Sequence, residues 1–168
     1  MRIHYQNSKI VIREFLPAEL SIFCKLFKDD SVTRYLPFRT PEQYIEAFHD
    51  ALEDYKKGPF GRWGIFDAVN NDFIGMCLAR FFADMPSQVE IGYTLSQAYW
   101  GKGIATESSK ALVDYCFTNT DTHEVVAVTD LDNIGSQKVL EKAGLRRVDN
   151  LKRGDIELAY FMIRRSDL

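Results

Sequence analysis

The residues Trp100-Gly101-Lys102-Gly103-Ile104-Ala105 are the motif with the clearest chemical meaning in this sequence of 168 residues. Glycine permits positive φ angles and lets the backbone approach a ligand closely. The first amides of a helix that follows such a turn have no intrahelical partner and lie at the positive end of the helix dipole. Converging N–H groups of this kind suit a diphosphate. Taken alone, the motif is about equally typical of a glycine turn that only begins a helix.

Two other phosphate-binding motifs are excluded by the residues around these glycines. A Walker A loop requires G-x-x-x-x-G-K-[ST], which GKGIATES does not supply. A Rossmann fingerprint requires a third glycine and normally follows the first strand of a parallel sheet, whereas four apparent strands precede this loop. A dinucleotide oxidoreductase is therefore a distant alternative, which binding of NAD or NADP would reveal.

A second polar pair, Asn133 and Ser136, follows the short apolar run HEVVAVTD. Residues three apart at the start of a helix face the same direction. At the C-terminal end of a strand, both side chains would reach the same cleft as the glycine loop. The simpler interpretation is that Asp132 or Asn133 caps the helix, and the pair taken alone favours it.

Glu90 is a third candidate, in the segment VEIGYTL that leads directly to the glycine loop. In a strand, Val89, Ile91, Tyr93 and Leu95 would share one face, and Glu90 would lie on the other face with Gly92 and Thr94. A carboxylate in this position could act as a base. A lone glutamate on a strand is more often an ordinary solvent-facing residue.

The hydrophobic pattern indicates which elements position these residues. Pro17 and the sequence Thr40-Pro41-Glu42-Gln43, a capping box with proline at the first helical position, each predict the start of a helix. Two further helices are predicted, one after the glycine loop and one over NIGSQKVLEKAGL. Strands are predicted at IVIREF, RWGIFDAV, FIGMCLARFF, VEIGYTL, HEVVAVTD, LRRVDNL and ELAYFMIRR. The sheet should be mostly antiparallel at first with a βαβ crossover only late, in a single α+β domain over residues 1–168.

Composition limits the classes of partner. The net charge of −3 argues against a nucleic-acid binder, which usually presents a basic face. The 46% hydrophobic content is sufficient for a core, and no apolar run is long enough to span a membrane. Cys24, Cys77 and Cys116 form no metal-ligand spacing with a histidine, so no metal is expected, and three thiols suggest a reducing, cytoplasmic compartment.

Together, EIGYTL, WGKGIATES and NIGSQKVLEKAGL, in this order and spacing, resemble the GNAT superfamily of N-acetyltransferases. With the N-terminal strand–helix pattern, RYLP and the closing strands, the chain is similar to the ribosomal-protein (RimJ/RimL-like) branch, from about Ile10 to Arg165. The resemblance implies a GNAT-type sheet of about seven strands, mixed and mostly antiparallel, which is flanked by helices and splays in the middle. Acetyl-CoA would lie in the opening.

The resemblance also assigns roles to residues. Gly103 and Ala105 match the family signature [Q/R]-x-x-G-x-[G/A], and Trp100 replaces its first residue. Glu90 occupies the general-base position, and Ser136 is the candidate for protonating the departing thiolate, because Leu140 stands where many relatives have a tyrosine acid. The residues expected to bind acetyl-CoA are Tyr93, Thr94, Leu95, Trp100, Gly101, Lys102, Gly103, Ile104, Ala105, Thr106, Asn133 and Ser136.

The predicted function is transfer of an acetyl group from acetyl-CoA directly to a primary amine. Acceptors left open are a protein N-terminus and a small amine, with a pocket lined by RYLPFR, the first two helices and the final hairpin. The alternative is a CoA-binding sensor or interaction protein without catalysis, which the leucine at position 140 motivates. Related enzymes are often homodimers, and the sequence leaves the oligomeric state open.

Overall fold

Nine strands form one sheet in the order β1-β2-β3-β4-β5-β6-β9-β7, and β8 pairs with β9. The structure, a computed structural model, describes residues 1–168. All neighbouring strands are antiparallel except β5 and β6. The strands are β1 (Ile3–Gln6), β2 (Ile10–Arg13), β3 (Gly61–Asp67), β4 (Phe73–Phe81), β5 (Val89–Leu95), β6 (Glu124–Asp130), β7 (Arg146–Arg147), β8 (Leu151–Arg153) and β9 (Ile156–Arg164).

The fold class is as predicted, but the sheet has nine strands instead of about seven. The short edge strand β1 was missed because its residues are half-buried or exposed and show little apolar alternation. The segment LRRVDNL, predicted as one strand, contributes β7 and the first residue of β8, and the intervening residues 148–150 belong to no strand.

The helices are α1 (Leu20–Leu26), α2 (Asp30–Thr33), α3 (Pro41–Asp54), α4 (Ile104–Asn119) and α5 (Ile134–Lys142). The capping box of α3 is confirmed: Thr40 Oγ1 accepts from the Gln43 amide at 3.3 Å, and Gln43 Oε1 accepts from the Thr40 amide at 2.8 Å. The short helix α2 was not predicted from the sequence. It forms because Asp29 caps it, accepting from the Ser31 amide at 2.9 Å. No helix is both long enough and apolar enough to cross a membrane.

The sheet opens between β5 and β6. β5 pairs with β4 along its whole length, from Val89 to Leu95. With β6 it pairs only at Val89↔Val125 and Glu90↔Val126, although β6 continues to Asp130 in register with β9. Because α4 carries the chain from β5 to β6, this is the predicted late crossover between parallel strands. The edge of β5 that faces β6 is therefore unpaired over residues 91–95.

Two cores cover the two faces of the sheet. On one face, apolar residues of β5 such as Val89 and Ile91 pack in the larger core with Leu112 and Cys116 of α4. On the other face, α1 and α3 contribute Phe23 and Phe48 to a smaller, phenylalanine-rich core; the other members of this core are Phe15, Leu26, Val32, Phe66 and Met76. We call these two faces the α4 side and the α3 side.

Candidate active site

The glycine loop presents a run of free backbone donors. Gly101 and Gly103 have φ angles of 71° and 77°, in the left-handed region that favours glycine. Gly103 is the N-cap of α4 and provides no side chain to satisfy the first amides of the helix. The amides of residues 101–106 donate no hydrogen bond within the protein. They form a concentrated site for an anion at the positive end of a 16-residue helix.

Trp100 differs from the role expected for it. Its amide donates to the Gln97 carbonyl at 3.1 Å, so the free donors run from residue 101 to residue 106, not from residue 100. The Trp100 indole Nε1 donates to the Leu95 carbonyl at 3.0 Å. Trp100 therefore ties the loop to the end of β5, and it makes the Leu95 carbonyl less available to a ligand. The expected donor set shifts by one residue.

Tyr93 and Thr94 lie on the unpaired edge of β5 described above, where the sheet is open. A backbone edge of this kind accepts an extended ligand as an additional strand. Lys102, Ile104, Ala105 and Thr106 lie at the mouth of the same opening, because the loop follows β5 directly. The structure thus places the backbone residues that the sequence predicted for acetyl-CoA along one continuous edge and loop.

The two remaining predicted residues meet β5 across the opening. Asn133 Oδ1 accepts from the Ser136 amide at 3.1 Å, so Asn133 is the cap of α5. The Tyr93 hydroxyl donates to Ser136 Oγ at 3.1 Å, linking β5 to α5. Burial raises the pKa of Tyr93, which keeps its phenol protonated. The Ser136 hydroxyl donates to no protein group, and its own proton remains available.

Sequence reasoning used only the backbone of Tyr93 and missed its side chain. Leu140, the residue at the usual tyrosine position, is 3% exposed and belongs to the larger core. A phenol nevertheless stands beside Ser136, contributed by β5 instead of the last helix. The alternation of VEIGYTL places Tyr93 on the α4 side, but its partner is 43 residues away and no local pattern indicates it.

Glu90 lies at the vertex of the opening, in the last pair that β5 makes with β6. Its side chain points to the α3 side and is 8% exposed, so Glu90 is not a solvent-facing residue. Glu90 Oε2 accepts from Arg80 Nε at 2.7 Å, and Oε1 accepts no hydrogen bond from the protein. The carboxylate is therefore held in place by one oxygen while the other remains free.

A cavity of about 250 Å³ lies between α3 and strands β3 and β4, and Arg80, the partner of Glu90, lines it. Arg39, Arg62 and Arg80 line it, and sequence reasoning missed the last two. Of the segments expected to line the acceptor pocket, RYLPFR contributes Arg39 and α3 contributes four residues, whereas the final hairpin contributes none. A larger groove of about 590 Å³ surrounds the other end of α4, away from the glycine loop.

The arrangement combines a diphosphate-sized nest of amides, a free strand edge, and a carboxylate and a hydroxyl pair on opposite faces of one strand. These features suit a protein that holds an extended phosphorylated carrier in a split sheet. The acetyltransferase (GNAT) domain family matches residues 9–146, so the chain belongs to the GNAT family.

Relatives and solved structures agree with this assignment. The uncharacterized N-acetyltransferase p20 of Bacillus licheniformis is 27% identical over 149 residues, with 84% of each chain covered. YjcK of Bacillus subtilis, named a probable N-acetyltransferase, is 33% identical over 122 residues, which are 72% of this chain and 67% of YjcK. A RimL ribosomal-protein α-N-acetyltransferase solved with coenzyme A has a TM-score of 0.82 at 15% identity, covering 97% of this chain and 98% of that one.

The chain is accordingly an N-acetyltransferase that uses acetyl-CoA as its acetyl donor and an amine as its acceptor. The similarity to ribosomal-protein acetyltransferases in fold agrees with the predicted RimJ/RimL-like branch. The protein's own geometry fits the donor, since the free amides of residues 101–106 and the open edge of β5 suit a phosphorylated, extended molecule.

Proposed function

We propose that this domain, over residues 1–168, moves the acetyl group directly from acetyl-CoA to a primary amine at the vertex between β5 and β6. The observation that carries the proposal is the run of unpartnered amides at residues 101–106, directly beside the strand edge where β5 leaves β6. Acetyl-CoA supplies an activated acyl group. The protein's residues bind this donor, orient the amine, remove a proton from the amine and donate a proton to the departing sulfur.

The donor is bound mainly by backbone groups in this proposal. The amides of Gly101, Lys102, Gly103, Ile104, Ala105 and Thr106 hold the diphosphate, and the open edge of β5 at Tyr93 and Thr94 pairs with the amide-bearing arm. Both glycines have nothing within 4 Å of the place where a Cβ would lie, so a ligand has room to approach the loop. Trp100 and Leu95 support the loop through their mutual hydrogen bond.

Glu90 removes a proton from the amine, directly or through water. An α-amine has a pKa near 8 and a lysine near 10.4, so roughly a tenth of the first and well under a thousandth of the second is neutral at pH 7. A positioned base therefore helps both acceptors. The free Oε1 of Glu90 is the atom available for this role, because Oε2 is already bound to Arg80.

Ser136 donates a proton toward the departing sulfur on the other face of the strand. Because the Tyr93 hydroxyl donates to Ser136 Oγ, the Ser136 proton is directed elsewhere; Tyr93 replaces it after transfer and takes a proton from water in turn. The raised pKa of Tyr93 keeps that reserve proton bound until Ser136 needs it. Asn133 fixes the first turn of α5 so that Ser136 faces Tyr93.

The acceptor class proposed here is the one the RimL-like fold suggests, an α-amine at a protein N-terminus, with a small amine as the second candidate. We propose a cytoplasmic location, since the chain carries three free thiols, two of them buried. A homodimer is proposed because related enzymes often form one.

A thiol-release assay with acetyl-CoA tests the function against N-terminal peptides, amino acids, polyamines and aminoglycosides. We expect saturable turnover of at least one class, with acetylation of the amine seen by mass spectrometry. Binding of acetyl-CoA without turnover of any class would favour the non-catalytic CoA-binding protein instead.

A further inference from the structure

The cavity between α3 and strands β3 and β4 is lined by three arginines, and two of them have no partner. Arg80 is bound to Glu90, whereas Arg39 and Arg62 form no hydrogen bond through their side chains and no ion pair within 4.0 Å. Arg39 is exposed at the mouth, and Arg62 is partly buried on β3. The unpaired, partly desolvated guanidinium of Arg62 is costly, so an anion that binds between it and Arg39 is favoured.

Electrostatics at Arg62 support this conclusion. Burial, followed by the charges of Arg39 and Arg80, lowers the pKa of Arg62 to about 10. An arginine is rarely depressed in this way when a carboxylate is close enough to compensate. The folded protein thus concentrates positive charge at Arg62 and supplies no sufficient counter-charge of its own.

The acidic residues near the cavity do not neutralise the positive charge of its arginines. Asp54 forms an ion pair with Lys57 at 2.9 Å, and Glu90 is committed to Arg80. Asp50, exposed on α3, is the remaining carboxylate, and its favourable effect on Arg62 ranks below the opposing effects of Arg39 and Arg80. After these pairs are formed, the two positive charges of Arg39 and Arg62 exceed the one negative charge of Asp50.

Register places Arg62 and Glu90 within reach of one small molecule. Arg62 lies opposite Leu78, and Arg80, two residues further along β4, lies opposite Glu90. All of these side chains point to the α3 side. Two strand spacings and two residues of rise give about 12 Å between the Cα atoms of Arg62 and Glu90, a separation that a small molecule held between their side chains can span.

From this juxtaposition, and resting on the function proposed above, we infer that the acceptor is a primary amine carrying a carboxylate, held by Arg62 and Arg39 while its amine lies at Glu90. The carboxylate comes either from a free amino acid or from an acidic side chain close to a peptide N-terminus. Arginine is suited to this role because its planar fork binds a carboxylate through two parallel hydrogen bonds. A polyamine or another polycation would be repelled by the same charges.

Matched acceptor pairs test the inference. The peptide Ala-Glu with an amidated C-terminus is compared with Ala-Gln amide, and free alanine is compared with alaninamide, with spermidine as the polycation. Turnover is measured as kcat/KM with acetyl-CoA, and equilibrium binding to the CoA-loaded protein is measured by calorimetry. The peptide pair reports a side-chain carboxylate and the amino-acid pair a free α-carboxylate, so the two sources are distinguished.

We expect the wild-type protein to favour the acid of at least one pair by about 10- to 100-fold, the range typical of hydrogen bonds to charged groups. Arg62→Met keeps the apolar stem and should remove most of this preference without weakening CoA binding. Arg146→Met on β7, at the far edge of the sheet, is the matched control and should retain the preference. Comparing one pair of acceptors across variants cancels any difference in amine pKa between the two.

The inference is overturned if the wild-type protein binds and turns over the amides or spermidine as well as the acids. It is equally overturned if the preference persists in both Arg62→Met and Arg39→Met, the second variant guarding against misfolding of the first. A binding preference that depends on Arg62, without turnover of any acceptor, would support the carboxylate site and refute the proposed acetyl transfer. Turnover of the acceptors without a preference for the acids would support the proposed acetyl transfer and refute the carboxylate site.

Discussion

The base role of Glu90 makes the sharpest prediction about catalysis, and Glu90→Gln is the perturbation that isolates it. Glutamine has nearly the same shape and keeps an oxygen that accepts from Arg80 Nε, so the 2.7 Å contact survives in weakened form. Arg80 is half-exposed and water solvates it when the charge of its partner is lost. We therefore expect a loss of about 1–2 kcal/mol in the free energy of unfolding, below the range typical of a fully buried broken pair.

The loss of turnover should be much larger than this loss of stability implies. Removal of a positioned base typically lowers the rate by ~10²–10⁴-fold, and the folded variant should show this decrease in kcat/KM at neutral pH. Affinity for acetyl-CoA should stay nearly unchanged, because the predicted phosphate donors lie on the loop at residues 101–106. Raising the pH should partly rescue the variant, since the neutral fraction of an amine grows tenfold per pH unit below its pKa.

The assay is turnover against pH for the wild-type protein and Glu90→Gln with a common acceptor. Glu124→Gln is the matched control, because Glu124 on β6 also pairs with an arginine, Arg164, at 3.1 Å but lies before the opening. A purely structural Glu90 predicts reduced stability and parallel pH–rate curves. Parallel curves, or full activity of Glu90→Gln at neutral pH, would refute the reasoning and leave deprotonation to bulk water or another group.

Three further predictions concern other parts of the protein. Gly103→Val should weaken acetyl-CoA binding severely, because valine is strained at a φ of 77° and crowds the free amides. Lys102→Ala should cause a milder, salt-dependent loss of binding. Unchanged calorimetric affinity of folded Gly103→Val for acetyl-CoA would reject the placement of the diphosphate at this loop. Tyr93→Phe and Ser136→Ala should each lower kcat more than they lower CoA affinity. The two effects should combine less than additively, because the two hydroxyls act in one relay. Full additivity in a double-mutant cycle would contradict the relay. Burial between two aromatic rings lowers the pKa of His4 from 6.5, so the unfolded chain binds the extra proton and stability is lost as the pH falls below 6.5. Chemical unfolding of His4→Phe should show a smaller loss of stability over that range. Equal slopes of stability against pH for the two proteins would show that His4 does not contribute.

Much of the fold was predictable because its signals are local. The capping box at Thr40, the alternation of VEIGYTL and the two glycines of the loop each determine a conformation within a few residues. The parallel pairing of β5 with β6 also followed from the sequence, since a strand, a helix and a strand in succession form a crossover. The weakly patterned edge strand β1 lay outside such reasoning, because its pairing with β2 supplies most of its order.

The polar contacts of the site were less predictable, because they depend on register and on distant pairing. The Arg80–Glu90 pair requires the register of the hairpin between β4 and β5 to be known to the residue, and a shift by one would place Arg80 on the other face. Likewise, the bond from Tyr93 to Ser136 spans the opening between two elements that share no local sequence signal. The unpaired state of Arg62 is a property of the whole cavity and is visible only in three dimensions.

Strand β5 explains why one split sheet can serve two proton transfers. Glu90 and Tyr93 are three residues apart, so they point to opposite faces, about 10 Å apart along the strand. Full pairing with β4 holds the strand rigid, while the missing pairing with β6 leaves a gap through which a thioester can lie across the plane of the sheet. In the mechanism proposed above, an amine that approaches from the α3 side meets Glu90, and the sulfur on the α4 side meets Ser136 and Tyr93. The odd spacing is essential to this arrangement, because an even spacing would place base and acid on one face and leave the other proton without a partner.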